Sequence, residues 1–268
     1  MKIAWLTDIH LNFLEIAARQ QFYATIMTVK PELILISGDI AEAPSVCELL
    51  TEMAVTVNKP IYFVLGNHDY YFGNIKTVHD EVTQLSKNQP LLHWLSIMKP
   101  VLLKEGVFLV GQGGWADGRY GNYQHSSVSL NDSRLIADLF QEKCLGKEKL
   151  LVKMQQLADI DAKKLQGQLL EAIALNAKRI VVVTHIPPFK KNCLHEGKIS
   201  NDDFLPYFAS LATGEILLTV ANAHPLVEFL VLCGHTHSDS HHQPLNNLTV
   251  KSGRAEYCMP IVQECIEI

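Results

Sequence analysis

The chain lacks a basic tract. Its 268 residues carry a net charge of −5, and the pI is about 6.2, so no broad positive field is present to gather nucleic acid. That balance leaves room only for a local basic groove. No apolar run approaches the roughly 18 residues of a membrane span. The opening MKIAWLTD is interrupted by Asp8 and reads as a strand, not as a secretory segment. The cysteines Cys47, Cys144, Cys193, Cys233, Cys258 and Cys265 form no CxxC pair and are irregularly spaced. A disulfide framework is thereby excluded, and reduced thiols in a cytoplasmic protein are expected. Repeats, low-complexity stretches and linkers are absent as well. One domain over 1–268 is expected, with a loop and helical insertion at about 112–176.

What is present is an ordinary globular balance, 48% hydrophobic and 19% charged. The first third alternates short apolar strands with helical spacing. KIAWLT (2–7), LILIS (33–37) and IYFVL (61–65) read as strands, and 14–30, 45–57 and 74–87 as helices. VLLKE and VFLVG form a hairpin around Gly106. The segment 113–130 has no period and reads as a long ordered loop. A 3–4 spacing of Leu151, Met154, Ala158, Ala162, Leu165, Leu169 and Ala172 predicts mostly helix over 131–176, with a break at Asp159–Asp161. RIVVVTH and EFLVLCG are two further strands, with a helical region at about 203–222 between them; short strands end the chain. Fully apolar strands alternating with helices predict an α/β fold whose sheet is covered on both faces.

Each strong strand is followed at once by polar residues of one kind. Asp8 and His10 follow the first, Asp39 the second, and Asn67, His68 and Asp69 the third. His185 follows RIVVVT, and His235 and His237 follow EFLVLC. The carboxyl edge of an α/β sheet is where ligand sites assemble. Singly, each residue reads as a strand-ending turn; jointly they read as one site. Mixed Asp, His and Asn donors suit Mn, Fe, Zn or Ni rather than Ca. Seven candidate ligands exceed one tetrahedral ion and suit two ions sharing a carboxylate. Two divalent ions against Asp8 and Asp39 leave a positive site that attracts phosphate and acidifies water.

The ordered blocks DIH (8–10), GD (38–39), GNHD (66–69), TH (184–185) and GHTH (234–237) resemble the calcineurin-like metallophosphoesterase family. A lone Asp-x-His carries little weight; GNHD and GHTH in order carry much. The resemblance spans residues 8 to 237. It implies a four-layer αββα sandwich of two mixed β-sheets flanked by helices. It implies that Asp8, His10 and His237 hold one ion, that Asn67, His185 and His235 hold the other, and that Asp39 bridges both. It further implies that His68 faces the phosphate and protonates the leaving oxygen, and that Asp69 hydrogen-bonds His68. The implied activity is hydrolysis of a phosphomonoester or phosphodiester by metal-activated hydroxide, on a small-molecule phosphate ester.

Other residues read as walls of the site: Trp115, Arg119, Tyr120 and Tyr123 in the long loop, Tyr70 and Tyr71 beside GNHD, and His195 after the HIPPF turn. The competing reading for each is a packed or solvated loop residue. His79, His93, His125, His224, His241 and His242 lie outside the blocks and read as surface or locally satisfied groups. Two alternatives share the same residues: a nuclease, which the acidic balance disfavours, and a non-catalytic scaffold, which the complete ligand set disfavours.

Overall fold

The computed structural model describes residues 1–268. In chain order, β1 (Lys2–Leu6), α1 (Ile16–Thr28), β2 (Leu33–Ser37), α2 (Val46–Val57), β3 (Ile61–Val64) and α3 (Ile75–Asn88) alternate as the apolar pattern predicts, and β4 (Leu92–Trp94), which that pattern does not show, follows them. β5 (Val101–Lys104) and β6 (Val107–Gly111) form the hairpin at Gly106. The stretch 112–130 holds no helix or strand, and α4 (Asp132–Leu135), α5 (Ala137–Cys144) and α6 (Lys147–Ala174) follow it. Then come β7 (Arg179–Val183), a small hairpin of β8 (Leu194–His195) and β9 (Lys198–Ile199), α7 (Leu211–Ala223), β10 (Glu228–Cys233), β11 (Ser240–Leu245), β12 (Leu248–Ser252) and β13 (Glu264–Glu267).

Two mixed sheets result, ordered β13-β1-β2-β3-β4 and β11-β12-β10-β7-β6-β5. Successive strand residues point to opposite faces, and here both faces are buried. Ile3, Trp5, Leu35, Leu109, Val183 and Leu232 meet between the sheets. Ala4, Leu6, Ile34, Ile36 and Phe63 face the other way, onto α1–α3. Phe108, Val110, Ile180, Val182 and Val231 face α6 and α7. This is the αββα arrangement. Each fully buried aliphatic side chain contributes about 1.5–3 kcal/mol of transfer free energy.

The break expected at Asp159–Asp161 is absent; α6 is continuous over 28 residues. Aspartate is a modest helix former, but both acids leave the buried stripe and find partners. Asp159 pairs with Arg119 at 2.8 Å, and Asp161 Oδ2 accepts from the Gly114 amide at 3.1 Å. Burial of Met154, Ala158, Ala162 and Leu165 along one face outweighs the local propensity. No helix is long and apolar enough to cross a membrane.

Candidate metal centre

β1, β2, β3, β7 and β10 deliver their trailing residues to one place between the two sheets. The backbone there is unusual. Asp8, His10, Asp39, His235 and His237 all take positive φ, between 39° and 72°. Such conformations cost non-glycine residues on the order of 1–3 kcal/mol each and concentrate at functional sites. Glycines make the approach possible: a Cβ on Gly66 would strike the Asp39 carboxylate, and one on Gly234 would strike Asp8 and Thr7.

The side chains form two donor groups. Asp8, His10, Asp39 and His237 converge in one, and Asp39, His185 and His235 in the other, so Asp39 belongs to both. Asn67 joins the second group, its Oδ1 2.9 Å from His185 Nε2 and 3.0 Å from His235 Nδ1. Second contacts fix which ring nitrogen faces inward. His185 Nδ1 lies 2.9 Å from the Ser37 carbonyl oxygen and His235 Nε2 lies 3.0 Å from that of Tyr207. A carbonyl can only accept, so both nitrogens carry hydrogen, and His185 Nε2 and His235 Nδ1 are left as lone-pair donors. Thr7 Oγ1 and the His235 amide orient the Asp8 carboxylate, at 2.6 and 3.0 Å.

The spacing fits divalent ions. Two donors about 2.1 Å from one ion lie about 3.0–3.4 Å apart at octahedral to tetrahedral angles. His10 Nε2 and His237 Nε2 are 3.4 Å apart, His237 Nε2 and Asp8 Oδ1 3.4 Å, and His185 Nε2 and Asp39 Oδ1 3.3 Å. The electrostatics agree. Burial opposes ionisation of Asp39, but the facing His185, His68 and His10 reverse this and hold its carboxyl well below the ordinary range. Burial likewise lowers His185, yet the Asp39 and Asp8 carboxylates outweigh it and raise the ring to about 10, which puts on Nε2 a proton that a bound cation would replace, freeing the lone pair. Buried carboxylates here require positive charge, which a divalent ion supplies.

His68 donates its backbone N–H to Asp39 Oδ1 at 2.9 Å, and its ring stacks on Tyr71 with centroids 4.1 Å apart. Its Nδ1 has no protein partner. The expected Asp69–His68 hydrogen bond is not formed. Asp69 Oδ1 accepts from the Ile40 and Ala41 amides and Oδ2 from the Gly66 amide, at 2.8–2.9 Å. The carboxylate turns inward because those three buried N–H groups need an acceptor, and it ties the GNHD loop to the loop after β2. Burial and the nearby Asp39 push Asp69 up to about 7, against the pull of the amide donors. In Asp69→Asn an amide N–H would face a backbone N–H. A loss of about 1–3 kcal/mol is expected, read by urea denaturation of metal-free protein; unchanged stability would remove Asp69 from this role.

A cleft of about 290 Å³ opens over the donors, walled by Tyr71, Leu130, Asp132, Phe208 and Tyr257. No lysine or arginine lines it. Of the expected wall residues Tyr71 does line it; Tyr120 packs against Cys193 and Leu205, and the other five also lie elsewhere. Arg119 is held by Asp117 and Asp159 at 2.8–3.0 Å. Tyr123 is buried, its hydroxyl on the Lys147 carbonyl. Trp115 packs behind Asn67, against Tyr70, whose hydroxyl meets His79 Nε2 at 2.9 Å. His195 is exposed on the β8–β9 hairpin. The aromatic candidates Tyr70, Trp115 and Tyr123 are buried because their rings pack into the core, whereas Arg119 is taken up by its ion pairs and His195 faces solvent. The other polar and aromatic walls, Asp132, Phe208 and Tyr257, carried no motif, and only the fold brings them to the mouth. A larger crevice of about 460 Å³ lies between β10, β12 and β13, bordered by the Lys251–Glu264 ion pair, and none of its lining residues belongs to either donor group.

The model of the calcineurin-like phosphoesterase family matches residues 1–239. The chain belongs to that family, and its class is that of a metal-dependent hydrolase. No curated protein matches the sequence. Among solved structures, phosphopantetheinyl hydrolase from Mycobacterium tuberculosis is similar at a TM-score of 0.65 and 13% identity, covering 96% of this chain and 90% of that one. A dimetal phosphatase from Danio rerio is similar at 0.59 and 12%, covering 95% and 87%. At these identities the likeness is one of fold.

Proposed function

We propose that the protein hydrolyses small-molecule phosphate esters with two divalent ions, of Mn, Fe, Zn or Ni. Asp8, His10 and His237 would hold one, Asn67, His185 and His235 the other, and Asp39 both. The carrying observation is that Asp39 belongs to two donor groups at once. Bound there, the ions would supply Lewis acidity, neutralising phosphate charge and acidifying water. The chain's own part is orientation and proton transfer. Tyr71 and the Asp39 carboxylate fix His68 at the cleft edge, where its imidazole can protonate the departing oxygen.

The cleft favours a substrate with one phosphate. A nucleic-acid strand needs cations along its path, and here none flank the donors. The Leu130, Phe208 and Tyr257 walls suit an apolar or aromatic organic group. The phosphopantetheinyl group in the name of one structural neighbour belongs on the assay panel beside aryl phosphates. All six cysteines are free, which fits a reducing compartment.

The test is hydrolysis of a chromogenic phosphomonoester and a chromogenic phosphodiester. Turnover should vanish in chelator and return with added Mn²⁺, and the ratio of the two rates assigns the ester class. Turnover that persists in metal-free protein would sink the proposal.

A further inference from the structure

Asp132 belongs to none of the motif blocks. It opens α4, in the chain between β6 and β7, more than sixty residues after Asn67. One of its oxygens makes two contacts with the GNHDYY stretch. Oδ1 accepts from Asn67 Nδ2 at 2.9 Å and from the Tyr71 hydroxyl at 2.7 Å.

The chemistry of asparagine gives the first contact its meaning. The two ends of a carboxamide have nearly the same shape, but only the oxygen can ligate a cation. Asn67 must turn Oδ1 toward His185 and His235, where the structure has it. A ring nitrogen that offers its lone pair to an ion gives that side no N–H to hold the amide oxygen, and by itself would favour Nδ2 inward. An acceptor-only carboxylate at the opposite end settles the choice, because it tolerates Nδ2 and repels Oδ1. The second contact acts on His68. Tyr71 is the ring on which His68 stacks, and its hydroxyl is pinned to the same Asp132 oxygen.

The position of Asp132 is itself built in. The Phe72 amide donates to the Leu135 carbonyl at 2.9 Å and the Ala137 amide to the Gly73 carbonyl at 3.0 Å. The Ile75 amide donates to Asp138 Oδ2 at 2.8 Å. Residues 132–138 are thus stitched to the chain that carries Asn67 and His68.

We infer that Asp132 is a positioning residue. It fixes the Asn67 amide oxygen toward the second donor group and holds the Tyr71 platform beneath His68. The inference rests on the two-ion reading above.

Mn²⁺ titration of metal-stripped protein by calorimetry separates the two. Wild type should take up two ions, and His237→Ala isolates the second group. Adding Asp132→Ala in that background should weaken the remaining site by about 10–100-fold, the usual cost of losing a ligand's supporting contact. Asp132→Asn can still accept from both partners through Oδ1 but, with a donor end of its own, no longer excludes the wrong Asn67 orientation, so it should restore part of the affinity. In an otherwise wild-type chain, Tyr71→Phe should lower kcat and, because the Tyr71 hydroxyl also accepts from Asn67 Nδ2 at 3.3 Å, weaken the second site less than Asp132→Ala does. Unchanged second-site affinity in Asp132→Ala overturns the inference while the two-ion reading stands. Equal weakening by Ala and Asn also overturns it, since a merely structural role gives no rescue. Uptake of fewer than two ions by wild type overturns both together.

Discussion

Asp39→Ala is expected to lower kcat by on the order of 10³-fold or more, with loss of bound metal. The carboxylate is the one group common to both donor sets. Its removal takes a ligand from each and leaves His185 and His10 without their facing charge. Lewis-acid stabilisation of a phosphoryl oxygen is worth several kcal/mol, and each 1.36 kcal/mol is tenfold in rate. Asp39→Asn separates charge from shape. It can keep the hydrogen bond from the His68 amide but supplies no anion, so it should behave like the alanine variant in metal uptake. Activity and metal content are both measured. An alanine variant that retains two ions and wild-type turnover would show that Asp39 bridges nothing.

His68→Ala is expected to lower kcat by about 10²–10⁴-fold, the range for a lost general acid, while both ions stay bound. His68 belongs to neither donor group, so metal content should be unaffected, in contrast with Asp39. The loss should also depend on the leaving group. A nitrophenolate departs as a stable anion and needs little protonation, whereas an alkoxide needs much. The variant should therefore be damaged more on an alkyl ester than on an aryl ester. An equal loss on both would point to stabilisation of phosphate charge, and no loss on either would take His68 out of the reaction.

The strands and the residues at their ends were legible because both obey simple rules. Ile34 and Ile36 alternate with Leu33 and Leu35, all apolar, and only a strand buried on both faces asks for that. The polar residues after each strand stand out against such runs. The division of the strands into two sheets, and the full width of the first, were not legible from spacing. β13 is four residues near the end of the chain that pair antiparallel with β1, a contact across nearly the whole sequence. β4, three residues long, is too short to show a period. Tyr71 apart, the walls of the cleft failed to announce themselves for the same reason. Asp132, Phe208 and Tyr257 come from three distant segments, and nothing local marks a residue whose neighbours are all non-local. Asp69 shows the opposite limit: its position was evident, but its partners were backbone amides of another loop, which no motif encodes.

The route of the last thirty residues has a mechanical consequence. β12 lies in one sheet and β13 in the other, so residues 253–263 form a strap between them. The strap crosses the mouth of the centre and carries Tyr257, whose ring lies 4.7 Å from that of His10 and 5.0 Å from that of His237. Both of its ends are clamped, one by the Gly253 amide on the Cys233 carbonyl and the other by the Gln263 amide on the Trp5 carbonyl, each at 2.9 Å. Because the strap is tied to a strand of each sheet, the place of Tyr257 over the donors is set by both sheets at once. A chain cut before β13 would slacken the strap, and would also bare the edge of β1 to any neighbouring strand.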